Sequence, residues 1–195
     1  MTPILSITGL TKEFGEVRAL DELNLELEHG AVHGLVGPNG AGKTTLLSIL
    51  VGLRQETQCN IQYGVSENRV TLLPDTPDFF PFLTTREVVD LARYQFRDRV
   101  DVGTIDKVIA EVGLEDCLDR RVGGFSRGMK QRLGLATVLI SEPQLLLLDE
   151  PCSALDPFGR REVLNLVSGL KGKTTVLFST HILGDVESVC DSMTV

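Results

Sequence analysis

Residues 37–45 read Gly-Pro-Asn-Gly-Ala-Gly-Lys-Thr-Thr, with Gly37, Gly42, Lys43 and Thr44 at the spacing G-x-x-x-x-G-K-[ST]. Each residue type there has a physical use. Glycines let backbone N–H groups turn inward around phosphate oxygens, and a helix starting at the loop adds partial positive charge at the same place. A lysine brings a point charge to the terminal phosphates, and a threonine hydroxyl is a hard oxygen ligand for Mg²⁺. The candidate cradle is therefore the whole loop: Gly37, Pro38, Asn39, Gly40, Ala41, Gly42, Lys43, Thr44 and Thr45. Taken alone, this pattern says nucleotide or phosphate and does not separate GTPases, kinases and ATPases.

A second cluster closes the apolar run Leu145–Leu148 with Asp149, Glu150 and Pro151. Four apolar residues in a row fit a strand buried on both faces, and its carboxyl end is where open α/β sheets bind ligands. Asp149 is then placed to hold Mg²⁺ through its water shell. Glu150 suits a general base, or a group that orients a water aimed at the terminal phosphate. His181 ends another such run, Val-Leu-Phe-Ser-Thr-His, where an imidazole can donate to that phosphate. A lone histidine is more often structural, and His29 and His33, which end no strand, keep that reading.

The elements that must position these residues alternate between strand and helix. Ile4–Leu10, Leu20–Leu27, Ala31–Val36, Ile61–Tyr63, Val70–Leu73, Leu145–Leu148 and Thr175–Phe178 read as strands. Leu46–Val51 reads as a helix closed by Gly52. Thr84 and Glu87 fit a capping box, Ile105–Val112 a second helix, and Ser126 the cap of a third. Asp156-Pro157 predicts a helix to about Leu170, and Ile182–Val189 another. The prolines of Pro74–Asp78 mark a hinge. This order predicts an α/β fold of the P-loop NTPase type: a largely parallel sheet with flanking helices and an N-terminal antiparallel β part. One domain is expected over 1–195, its core formed by 1–75 and 144–195, with an inserted helical subdomain at 84–143.

With 27 acidic residues against 19 Lys and Arg, and a formal charge of -8, the chain lacks the basic surface that nucleic acid requires. No nucleic-acid partner is expected. The four cysteines show no C-x-x-C spacing, which predicts free thiols in a reducing compartment and no zinc site. No apolar run reaches the ~20 residues that span a bilayer. Work at a membrane therefore requires another chain to supply the spanning part.

These features together resemble the nucleotide-binding domain of ABC transporters over essentially the whole chain. The resemblance rests on the loop, the acidic strand end and the segment Phe125-Ser126-Arg127-Gly128-Met129 before a helix, where Ser126 and Gly128 match the pattern LSGGQ. Phe125, Arg127 and Met129 depart from it, and by itself the segment also fits an ordinary N-capped helix. The resemblance implies that Ser126 and Gly128 contact ATP bound by a facing subunit. It also implies that Ser153-Ala154-Leu155-Asp156 links the two sites. Phe14 falls where an aromatic stacks on adenine, though a core Phe reads the same way. Asp75 stands where the family has a glutamine that contacts Mg²⁺, so its shorter carboxylate becomes the third candidate metal residue beside Thr44 and Asp149. Phe79, Phe80 and Phe82 fall where a permease helix docks, and as residues they fit a socket or local core equally.

The implied cofactors are ATP and Mg²⁺, and the implied catalytic residues Lys43, Glu150 and His181. The implied activity is ATP hydrolysis that powers a transporter, through a homodimer or pseudo-symmetric dimer joined at the ATP sites and a separate transmembrane permease subunit. The implied place is cytoplasmic and peripheral, on the inner face of the membrane. The alternative is a soluble or regulatory ABC ATPase with little or no coupling to transport. The resemblance implies a final hairpin beyond Val195, so the chain is expected to be part of a longer protein.

Overall fold

A computed structural model describes residues 2–195. Strands β1 (Leu5–Phe14) and β2 (Val17–Leu27) form an antiparallel hairpin around the two-residue turn Gly15-Glu16. Both run further toward the turn than the apolar alternation extends, because Lys12, Glu13 and Phe14 pair with Leu20, Arg18 and Val17 in a ladder most of whose side chains reach solvent. Next come β3 (Val32–Val36), the glycine-rich loop and α1 (Lys43–Leu50). This helix starts three residues before the apolar run that predicted it, at the point where Gly42 turns the backbone into the left-handed region.

β4 (Gln58–Tyr63) pairs antiparallel with β1, completing a three-stranded sheet in the order β2-β1-β4. β5 (Val70–Leu73) opens the helical stretch, which holds α2 (Thr85–Tyr94), α3 (Thr104–Glu111) and α4 (Arg127–Leu139). The expected capping box is present. The Glu87 N–H donates to Thr84 Oγ1 at 3.3 Å and the Thr84 N–H donates to Glu87 Oε2 at 2.8 Å. β6 (Leu145–Leu148), α5 (Pro157–Gly169), β7 (Thr175–Thr180), α6 (Leu183–Val189) and β8 (Ser192–Thr194) complete the chain. Asp156 caps α5 by accepting from the Gly159 N–H at 2.7 Å, with Pro157 in the first turn.

The second sheet runs β5-β6-β7-β3-β8 with every pairing parallel. Its centre shows why four consecutive leucines form a strand here. Side chains alternate between faces, so Leu146 and Leu148 pack into the apolar cluster under the helices. Leu145 and Leu147 pack into the cluster shared with α1 and the antiparallel sheet. Buried residues of α2, α3 and α4 belong to the same cluster as Leu146 and Val176, so the helical part is cemented to one face of the sheet. α4 lies close because Gly134 has no side chain; a Cβ there would sit 2.7 Å from Leu73 Cδ1 and 3.0 Å from Pro77 Cγ.

Candidate active site

The parallel order brings the carboxyl ends of β3, β5, β6 and β7 to one edge. Gly37 follows β3, Asp75 lies just beyond β5, Asp149 follows β6 and His181 follows β7. Segments from across the chain thus meet at the edge where α/β sheets bind ligands.

The loop is held from below: the Gly37 N–H donates to the Thr180 carbonyl at 3.2 Å and the Ala41 N–H to the Pro38 carbonyl at 3.2 Å. Gly40 and Gly42 both sit at φ 87°. α1 has no side-chain cap at its N-terminus. The first N–H groups of a helix lack intrahelical acceptors, so this terminus faces the cleft with donors to offer.

Lys43 is buried at 7% exposure. Its ammonium donates to the Gly37 carbonyl at 2.7 Å and the Pro38 carbonyl at 3.1 Å, and lies 3.1 Å from Glu150 Oε1. The contact with Glu150 pairs charges without hydrogen-bond alignment, leaving buried Oε1 without a hydrogen-bond partner. The other Glu150 oxygen, Oε2, is 2.8 Å from His181 Nδ1. The carboxylate is therefore a bridge between the loop lysine and the strand-end histidine.

Ser179 orients both acids, a role that the residue-by-residue reading missed. Its hydroxyl donates to Asp149 Oδ1 at 2.8 Å and accepts from the Glu150 N–H at 2.9 Å. The signal was one polar residue near the carboxyl end of an apolar strand, where it is fully buried. Glu150 also takes φ 45°, an unfavourable region for a residue with a Cβ, held by these bonds. Nearby, burial pushes the Cys152 thiol up to about 12, so it packs as a small apolar group rather than a nucleophile.

Asn39, Gly40, Gly42, Lys43, Thr44, Thr45, Asp75, Asp149 and Glu150 line one cleft of about 410 Å³, with Ala19 closing it. The three candidate metal residues therefore share a wall. The Asp75 carboxylate is already engaged by a short hydrogen bond from the Ser153 hydroxyl and by Arg127 Nη2 at 3.8 Å.

Ser126 and Gly128 do not line that cleft. Ser126 caps α4, its hydroxyl accepting from the Met129 N–H at 3.2 Å. Phe14 stands at the end of β1, 43% exposed, with Lys12 Nζ 4.9 Å and the Arg54 guanidinium 5.6 Å from its ring centre. Phe79 packs on the core, while Phe80 and Phe82 are exposed and stacked with ring centres 5.6 Å apart. His33 is buried on β3 between Ser192 Oγ and Thr194 Oγ1, and burial lowers its pKa, in line with its structural reading.

Fold and cleft together define a P-loop NTPase domain of the α/β class. A family model described as ABC transporter matches residues 20–153, and the chain belongs to that family. It is 39% identical over 198 residues to the uncharacterized ABC transporter ATP-binding protein YxlF of Bacillus subtilis (strain 168), covering 98% of this chain and 67% of that one. It is 37% identical over 203 residues to the bacitracin transport ATP-binding protein BcrA of Bacillus licheniformis, covering 98% and 66%. The lantibiotic transport ATP-binding protein SrtF of Streptococcus pyogenes is 35% identical over 195 residues, covering 96% and 84%. The chain thus spans about two thirds of the length of the first two relatives.

Among solved structures, an ATP-binding subunit of an ABC transporter superposes with a TM-score of 0.80 at 27% identity, covering 97% of this chain and 84% of that one. MJ1267, an ATP-binding cassette of an ABC transporter in its ADP conformation, shares the fold with a TM-score of 0.86 at 22% identity, covering 99% and 87%.

Proposed function

We propose that this chain is the ATP-hydrolysing subunit of a membrane ABC transporter, closing with a second copy or a homologue around ATP and driving a separate permease. The observation that carries the reading is Glu150 held between Lys43 and His181 at the mouth of the phosphate loop. The carboxylate occupies Lys43 as an anion would. An arriving terminal phosphate competes for that ammonium and releases Glu150, which can then orient or deprotonate the attacking water. His181 leaves Glu150 in the same exchange and is free to donate to the phosphate.

The cleft suits Mg²⁺, because the Thr44 hydroxyl and the Asp149 carboxylate are hard oxygen donors on one wall. Mg²⁺ bound there would supply positive charge against the negative charge of the phosphates. Thr44 and Asp149 would hold it, with Ser179 fixing the Asp149 carboxylate.

A permease partner, with the chain on the inner face of the membrane, belongs to this reading; Phe80 and Phe82, an exposed stacked pair beside the hinge, are the surface that supports the partner. Relatives named as bacitracin and lantibiotic transport ATP-binding proteins point the same way.

Substituting Glu150→Gln tests the reading. We expect phosphate release to fall by about three orders of magnitude, within the range for removal of a positioned base, while ATP binding persists and dimers accumulate on a sizing column. Unchanged turnover would remove Glu150 from its role.

A further inference from the structure

Asp75 adds a third carboxylate to a cleft that already carries Asp149 and Glu150. Glu150 is paired with Lys43 and His181, and Asp149 is hydrogen-bonded by Ser179. Asp75 has a cation too, from an unexpected source: the first residue of α4. Arg127 Nη2 lies 3.8 Å from Asp75 Oδ1 and donates to Ser153 Oγ at 3.1 Å, while the Ser153 hydroxyl donates to Asp75. A closed triangle of acid, hydroxyl and guanidinium results. Asp75 and Arg127 are both departures from the pattern that the chain resembles, and they stand 52 residues apart in sequence yet meet here.

We infer that Arg127 is a positioning residue for nucleotide binding: it neutralises Asp75 and, through Ser153, holds that carboxylate at the edge of the cleft, where its charge would otherwise oppose the triphosphate. This rests on the reading of the cleft as an ATP site. Both side chains are close to half exposed, 48% for Arg127 and 45% for Asp75. The coupling is therefore that of an exposed ion pair, about two- to fivefold in an equilibrium constant.

A double-mutant cycle measures it, with ATP in the presence of EDTA as the probe, isothermal titration as the readout and low salt as the medium. We expect Arg127→Ala to weaken ATP binding about threefold. On the Asp75→Asn background the same change should have no effect, and Asp75→Asn alone should bind ATP more tightly than the starting protein. Arg127→Lys, which keeps the charge, should restore the affinity. The Ala effect should fade at high salt, where surface charges are screened.

An Arg127→Ala effect of equal size on both backgrounds would overturn the inference, because the arginine would then act on the nucleotide directly or on the fold at large. No effect on the Asp75 background would overturn it as well. A starting protein that binds no ATP would instead sink the functional reading.

Discussion

Two helices in this chain begin in sequences that invite an anion, and their N-termini are finished in opposite ways. α1 emerges from Gly42 with no side-chain cap, so its first N–H groups face the cleft. α4 is closed by its own Ser126, whose hydroxyl takes the Met129 N–H. The first terminus also owns a buried lysine, two glycines at φ 87° and an acid bridged to it. The second is exposed, lies outside the cleft, and points its first side chain, Arg127, back at Asp75. One terminus is left open at the cleft, as the proposed phosphate cradle requires. The other is closed by its own side chain, so the proposed contact with a phosphate from another subunit would have to displace or share that cap.

The largest blow to the first terminus is Lys43→Ala. It removes the proposed charge-assisted contact with phosphate and leaves the Glu150 carboxylate without its lysine. ATP affinity should fall about a hundredfold, from the ~3 kcal/mol of a charged hydrogen bond, as read by titration. A change under about fivefold would mean that the loop's N–H groups bind phosphate without the lysine.

Gly42→Ala attacks the same terminus through the backbone. The residue sits at φ 87°, and a Cβ there would lie 2.4 Å from the Ala19 carbonyl oxygen and 2.9 Å from Leu20 Cδ2. The expected cost is about 2 kcal/mol of stability from the strained conformation, with ATP binding impaired as well, both measured by urea unfolding and titration. A fully stable variant would show that β2 yields to the loop.

The strand–loop–helix unit that carries the proposed cradle was legible in the sequence because its pattern is local: glycines, lysine and threonine at fixed spacing between an apolar strand and an apolar helix. The acidic strand end and the caps at Thr84, Ser126 and Asp156 were legible for the same reason, each resting on neighbours within a few positions. What escaped was long-range. The strand expected at Ile61–Tyr63 begins at Gln58, and nothing in its sequence names β1 as its partner. Ser179 looks like any strand serine until β7 pairs with β6 and sets it between Asp149 and Glu150. The Asp75–Arg127–Ser153 triangle joins two loops and the first residue of α4, which only the packed sheet brings together. The α1 boundary was missed because a helix that starts at a charged, buried Lys43 shows no apolar periodicity there.

The gentlest test separates capping from phosphate contact at the second terminus. Ser126→Ala leaves the Met129 N–H without its acceptor and should cost about 1 kcal/mol of stability. Ser126→Asp restores an acceptor at the cap and places negative charge where a helix N-terminus favours it. Its melting temperature should return to that of the starting protein or above. Turnover separates the two: if Ser126 meets a phosphate from a facing subunit, the aspartate repels it, and the stable variant hydrolyses ATP more slowly than the less stable alanine one. Should both activities simply follow stability, the hydroxyl is a cap alone, and the contrast between the two termini becomes one of finished site against plain helix.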